Sequence, residues 1–222
     1  ARACAAIFEA KGRPLSEPLI VHLPPGDWLG KICQPDALAM ALAEEFWPGP
    51  LTMVLPRQAV VPDIVTAGQE TVAVRCSAHP VFRETIEAFG RPLAAPSANR
   101  FGRISPTSAA HVAAELDGRI PLILDGGPCE HGLESTIVLV RDGRLEILRR
   151  GPVTIERLGE FAPIGERGAG AVCRAGSGRA GGGPLTRGTI LSRTPIVARP
   201  SILSRTPIVA RPSILAWSAI VA

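Results

Sequence analysis

Residues 71–99 read TVAVRCSAHPVFRETIEAFGRPLAAPSAN, and this one stretch holds a complete strand, helix and strand. Thr71–Arg75 is a short run of apolar and β-branched residues ending in a cation, the pattern of a strand. Pro80–Phe89 reads as a helix, with Pro80 at the first helical position and Gly90 at its end. Residues 92–95 form a second, short apolar strand. Alternation of this kind predicts an α/β fold.

The same alternation extends in both directions. Upstream, residues 1–10 favour a helix, which Gly12 and Pro14 end. Residues 19–23 read as a strand closed by Pro24-Pro25-Gly26. Asp36 is a candidate N-cap for the helix Ala37–Phe46, stopped by Pro48-Gly49-Pro50, and residues 51–55 follow as a strand. Downstream, Ser105 is read as the N-cap of a helix running to about Leu116, with Pro106 at its first position. Leu122–Leu124 and residues 135–140 and 145–148 supply three more strands, the last two a hairpin through Asp142-Gly143. The expected fold is a mixed sheet covered by helices.

Length and composition allow one buried core and an appendage: 222 residues, 46% hydrophobic and 20% charged. The net charge of +4 is unevenly placed. Residues 1–150 carry 15 Lys and Arg against 17 Asp and Glu, whereas residues 151–222 carry 9 Arg against 3 Glu. The basic character therefore belongs to the C-terminal part, where residues 159–189 read as a Gly/Arg-rich linker and 190–222 as a low-complexity tail. In that tail ILSRTPIVARPS, residues 190–201, recurs unchanged as residues 202–213. Four prolines break each possible helix, and disorder is expected.

Five widely spaced cysteines without a C-x-x-C pair give no disulfide scaffold or zinc site and point to a reducing cytoplasm. No apolar run is long enough to cross a bilayer as a helix, and nothing at the start resembles a signal peptide. The chain opens directly into a helix without Met, so an upstream segment is expected to be missing.

Chemistry-bearing residues gather in loops and at strand ends, where α/β proteins bind anions. Lys11 and Arg13 flank a glycine. Ser97 and Asn99 follow a strand, with Gly102 and Ser105 downstream. Capping and turn formation would account for Ser105 and Asn99 without a ligand. Arg75 and Arg149 end strands, and Ser135 begins one; ordinary ion pairs and strand-edge bonds are the alternative for these three. Cys129-Glu130-His131 lacks a second ligand pair, so no metal residue is assigned. No G-x-S-x-G, Walker A loop or catalytic triad is present.

Six blocks, KGRP…PLIVHL, FWPGPLTMVLP, TVAVRCSAHP, PLAAPSANRFGRISPTSA, ILDGGPCEHGLESTIV and LEILRRGPVT, occur in one order across residues 1–158. Together they resemble the YrdC-like threonylcarbamoyl-adenylate synthase family. The resemblance implies a three-layer α/β fold with a twisted mixed sheet, one domain over residues 1–158, and a nucleotidyltransferase. Such an enzyme makes threonylcarbamoyl-AMP and pyrophosphate from L-threonine, bicarbonate and ATP with Mg²⁺, for the machinery that modifies tRNA. It implies that Lys11, Arg13, Ser97 and Asn99 are catalytic, that Arg13, Thr71, Ser97, Ser105 and Arg149 face ATP, and that His22, Arg75 and Ser135 face threonine. The family's upstream PTETVYG-like segment and Tyr-bearing linker have no counterpart here, and Arg150 stands where the family usually has Pro. An inactive fragment is therefore one expectation.

Two other readings stay open. The Arg-rich tail or a concave face could bind RNA, double-stranded RNA included, without catalysis. The carbamoyl-transferring domain of hydrogenase maturation proteins is similar, but it accompanies paired C-x-x-C modules that are missing from this sequence.

Overall fold

The computed structural model describes residues 1–129, 132–165 and 196–198. Its elements in order are α1 (Arg2–Lys11), β1 (Ile20–His22), α2 (Leu29–Ile32), α3 (Ala37–Phe46), β2 (Leu51–Pro56), α4 (Asp63–Thr66), β3 (Thr71–Arg75), α5 (Pro80–Phe89) and β4 (Leu93–Ala95). They continue with α6 (Ala109–Leu116), β5 (Leu122–Leu124), β6 (Thr136–Arg141), β7 (Arg144–Arg149), α7 (Ile155–Gly159), β8 (Ile164–Gly165) and β9 (Ile196–Ala198). No helix among the described residues is long and apolar enough to cross a membrane.

Seven strands form one sheet in the order β4-β1-β3-β2-β6-β7-β8. Parallel pairs (β1 with β3, β2 with β6, β7 with β8) alternate with antiparallel ones, so the sheet is mixed as expected. The β6–β7 hairpin turns at Asp142 and Gly143, whose φ of 52° and 67° match a type I′ turn. Asp36 caps α3 by accepting from Ala39 N at 2.7 Å, and Gly12 and Gly90 close α1 and α5 in left-handed conformations.

One face of the sheet carries the main core. Val21, Leu51, Met53, Leu55, Val72, Val74, Val138 and Val140 are buried there with Ile7 and Phe8 of α1, Ala39 and Leu42 of α3, Val65 of α4 and Leu158 of α7. The intervening residues Ile20, Val54, Ala73, Ile137 and Leu139 are only half-buried. Because successive side chains on a strand point to opposite faces, this alternation marks a second, more open face. Phe82 and Ile86 of α5 cluster with Leu93 of β4, next to the edge of that face.

Two expectations are corrected. The sixth helix starts at Ala109, not Pro106, and Ser108 caps it by accepting from His111 N, which leaves Ser105 in the preceding loop. Both serines are good caps, and spacing alone does not choose between them. Leu122–Leu124 stays outside the main sheet and pairs in parallel with Ile196–Ala198. That strand falls within the segment read as a low-complexity tail; the rest of the tail, most of the linker, and Glu130 and His131 lie outside the described residues. The short elements α2, α4, α7 and β8 have too few residues to show a period.

Candidate active site

The ladder assembles the site in a row across five strands. His22 pairs with Arg75 between β1 and β3. Across β2 and β6, Thr52 pairs with Ile137, and Ile137 pairs with Arg149 of β7. Thr52 Oγ1 lies 2.8 Å from Ser135 Oγ. By strand alternation His22, Arg75, Thr52 and Ser135 belong to the open face, opposite the packed valines and leucines; Arg149, which by count alone would follow Leu145 and Ile147 to the core side, joins them through the register shift between Ile137 and Val138.

Arg75 is buried, and its Nε donates to Gly49 O at 3.0 Å. Gly49 N in turn donates to Cys76 O at 2.8 Å, so the Pro48-Gly49-Pro50 turn is docked on the end of β3. Among the described residues Nη1 and Nη2 make no bond, which leaves the planar fork for a carboxylate. Burial and the nearby Arg149 push its pKa down to about 10, still well above neutral. The alternative of a surface ion pair does not apply to this arginine.

His22 is held neutral: burial, then Arg75, push its pKa down to about 3. Its ring meets Phe82 edge-on at 4.8 Å, and its Nδ1 is buried with no hydrogen-bond partner among the described residues. A buried polar atom of this kind costs stability unless a ligand or water meets it.

Arg149 organises the other end of the row. Its Nε and Nη2 donate to Ser135 O and Ser135 Oγ, both at 2.9 Å, while Nη1 donates to Glu134 Oε2. Ser105 Oγ donates to the other Glu134 oxygen at 2.7 Å. Two residues expected to face ATP, Ser105 and Arg149, are thus joined through Glu134 to Ser135, one of the residues expected to face threonine.

Lys11 forms a second cluster. It is 3% exposed, and Nζ donates to Ser97 O at 2.6 Å and to both Asn99 O and Asn99 Oδ1. Asn99 Nδ2 donates to Arg103 O at 2.7 Å, and Phe101 N donates to Lys11 O at 2.9 Å. The K-x-R and S-x-N elements therefore meet, with Lys11 as the strut of the loop after β4. Burial, then Arg13, push the Lys11 ammonium down to about 8, against the fields of Glu115 and Glu134. Arg13 donates to Pro18 O at 2.9 Å, and its guanidinium lies 5.9 Å from the Phe101 ring centre.

Thr71 shares a face with Arg75 but begins β3, roughly 13 Å away along the strand. Three contributors were missed in the sequence: Thr52, hidden in an apolar strand; Glu134, which looked like a strand lead-in; and Gly151. A Cβ on Gly151 would lie 2.5 Å from Thr136 N and 2.7 Å from Ser135 C. Among the described residues no group of three or more His, Cys, Asp or Glu could hold a metal.

Residues 1–151 match the Sua5/YciO/YrdC family, described as telomere recombination. The threonylcarbamoyl-AMP synthase of Pyrococcus abyssi is 47% identical over 154 residues, covering 68% of this chain and 45% of the relative. That of Bacillus subtilis is also 47% identical over 154 residues, covering 68% and 44%. The chain thus spans less than half the length of these curated relatives. The structure of P. abyssi Sua5 complexed with L-threonine superposes with a TM-score of 0.70 at 43% identity, covering 74% of this chain and 49% of that one. E. coli YciO, at 18% identity and a TM-score of 0.63, supports the fold alone, covering 71% of this chain and 77% of its own. With this family match over most of its described length, the chain belongs to the Sua5/YciO/YrdC family.

Proposed function

We propose that this chain carries the substrate sites of a threonylcarbamoyl-AMP synthase, forming threonylcarbamoyl-AMP and pyrophosphate from L-threonine, bicarbonate and ATP for tRNA modification. The observation that carries this reading is the row His22, Arg75, Ser135 and Arg149 on one open face, with a guanidinium at each end of a hydroxyl-lined centre.

In this reading the Arg75 fork takes the threonine carboxylate, since its Nε is already fixed on Gly49. The neutral His22 ring offers Nδ1 to a donor of the amino acid. Ser135 is shared: its hydroxyl contacts Thr52 and Arg149, so threonine bound there lies beside the cation that meets the nucleotide. The threonine amino nitrogen bonds to the carbon supplied by bicarbonate with loss of water, and an oxygen of the resulting carbamate attacks the α-phosphorus as its bond to pyrophosphate breaks. Arg13, Ser97, Ser105 and Arg149 supply fixed donors and charge toward the phosphates, while Lys11 and Asn99 hold the loop that presents them. Catalysis of this type rests on positioning and electrostatics, and needs no covalent nucleophile.

Mg²⁺ is taken to arrive with the nucleotide, because it binds through phosphates and one or two carboxylates at most. Glu134 is the carboxylate that Ser105 and Arg149 bond, so an ion arriving with the nucleotide would be held mainly by phosphate oxygens, and no step is assigned to it.

Incubation with L-threonine, bicarbonate, ATP and Mg²⁺, with pyrophosphate as readout, tests the proposal. Release that requires both threonine and bicarbonate is expected; no release, or release independent of threonine, contradicts it.

A further inference from the structure

Glu134 has no part in the substrate contacts proposed above, yet it occupies donors that a phosphate would use. Ser105 Oγ reaches one of its oxygens at 2.7 Å, and Arg149 Nη1 reaches the other. These donors come from separate parts of the chain, the loop before α6 and the end of β7. A single carboxylate bridges them.

The surroundings carry an excess of positive charge. Burial first and then Arg149 lower the pKa of Arg75, and burial first and then Arg13 lower that of Lys11. The field of Glu134 acts the other way on two of these cations, raising Lys11 and Arg149. Glu17 is engaged with Arg13 at 3.7 Å, and Glu115 accepts from Arg100 N at 2.8 Å, which leaves Glu134 as the carboxylate paired with Arg149.

Its removal would leave the rest of the site standing. Arg149 keeps two bonds to Ser135, through Nε and Nη2, and only the Nη1 bond has to change partner. The Glu134 side chain is 42% exposed and lies beside the exposed Leu133, so its carboxylate has solvent to move into. Exposed ion pairs of this kind are weak and exchange readily.

We propose that Glu134 is an internal stand-in for ligand phosphate: it neutralises Arg149 and satisfies Ser105 in the empty site, and a phosphoanion displaces it on binding. The inference rests on the nucleotide reading of Arg149 and Ser105. A residue that merely braced Arg149 would lower affinity when removed. A competing internal anion raises affinity when removed, so the sign separates the two roles.

Pyrophosphate, without added metal, is titrated by calorimetry into the full chain, its Glu134→Gln and Glu134→Ala variants, and Arg149→Ala, with thermal melting confirming that each is folded. Both Glu134 variants are expected to bind about two- to fivefold more tightly, the scale of one exposed pair, while Arg149→Ala binds more weakly than the parent. Weaker or unchanged binding by both Glu134 variants, with Arg149→Ala still impaired, overturns the inference and leaves the nucleotide reading intact. Equally undetectable binding by the parent and Arg149→Ala overturns the nucleotide reading and the inference with it.

Discussion

Arg149 grips Ser135 at two points, Nε on the carbonyl oxygen and Nη2 on the hydroxyl, each at 2.9 Å. One residue ends β7 and the other precedes β6, so the hairpin itself sets the contact. The arginine proposed for the nucleotide thereby orients the serine proposed for threonine, and the two ligands should not respond independently to its loss.

Arg149→Lys keeps the charge but loses the fork that reaches two Ser135 atoms and Glu134 at once. Steady-state pyrophosphate release, with each substrate varied in turn, should show KM rising for ATP and threonine alike. A factor of about ten or more in kcat/KM is expected from losing charge-assisted bonds.

Lys11→Met should act through the loop at 97–103. The change leaves the carbonyls of Ser97 and Asn99 without their buried ammonium partner, at a cost of about 1–3 kcal/mol in urea unfolding. Lys11→Arg should not restore stability, because the site is 3% exposed and shaped around a single ammonium.

His22 makes stability depend on pH. Its pKa is about 3 in the folded chain against 6.5 in the open one. Between those values the unfolded chain takes up a proton that the folded one refuses, so stability falls as pH drops below 6.5. The slope from this group approaches about 1.4 kcal/mol per pH unit. Denaturant unfolding from about pH 7 to about pH 5 should show it, and His22→Gln should flatten it by up to one proton.

Gly151→Ala should disturb the site without removing any functional atom. The new Cβ would press on Glu134 O, Ser135 C and Thr136 N. Backbone does not yield as a flexible side chain does, so a loss of about 1–3 kcal/mol in unfolding is expected, together with a raised KM for threonine. Unchanged KM with lowered stability would place the strain away from Ser135.

Elements with ten residues or a clear cap could be read from the sequence: α3 and α5 begin and end where Asp36, Pro80 and Gly90 place them. The start of α6 could not, since Ser105 and Ser108 both suit an N-cap and only the loop's path selects one. The clustering of Lys11 with Ser97 and Asn99 joins residues 86 to 88 positions apart, a contact that motif resemblance implied and periodicity could not. Thr52, Glu134 and Gly151 stayed hidden for a related reason. Their roles come from strand register and a close backbone approach, neither of which leaves a local pattern.

In the proposed site, the open face binds threonine through Arg75, with Arg149 at the far end of the same row. Calorimetric titration of L-threonine into the parent chain and into Arg75→Lys measures that contact. Saturable binding by the parent, weakened about tenfold or more when the bidentate fork is lost, is the predicted result. Binding of equal strength by both, or by neither, would rule out Arg75 as the carboxylate's partner.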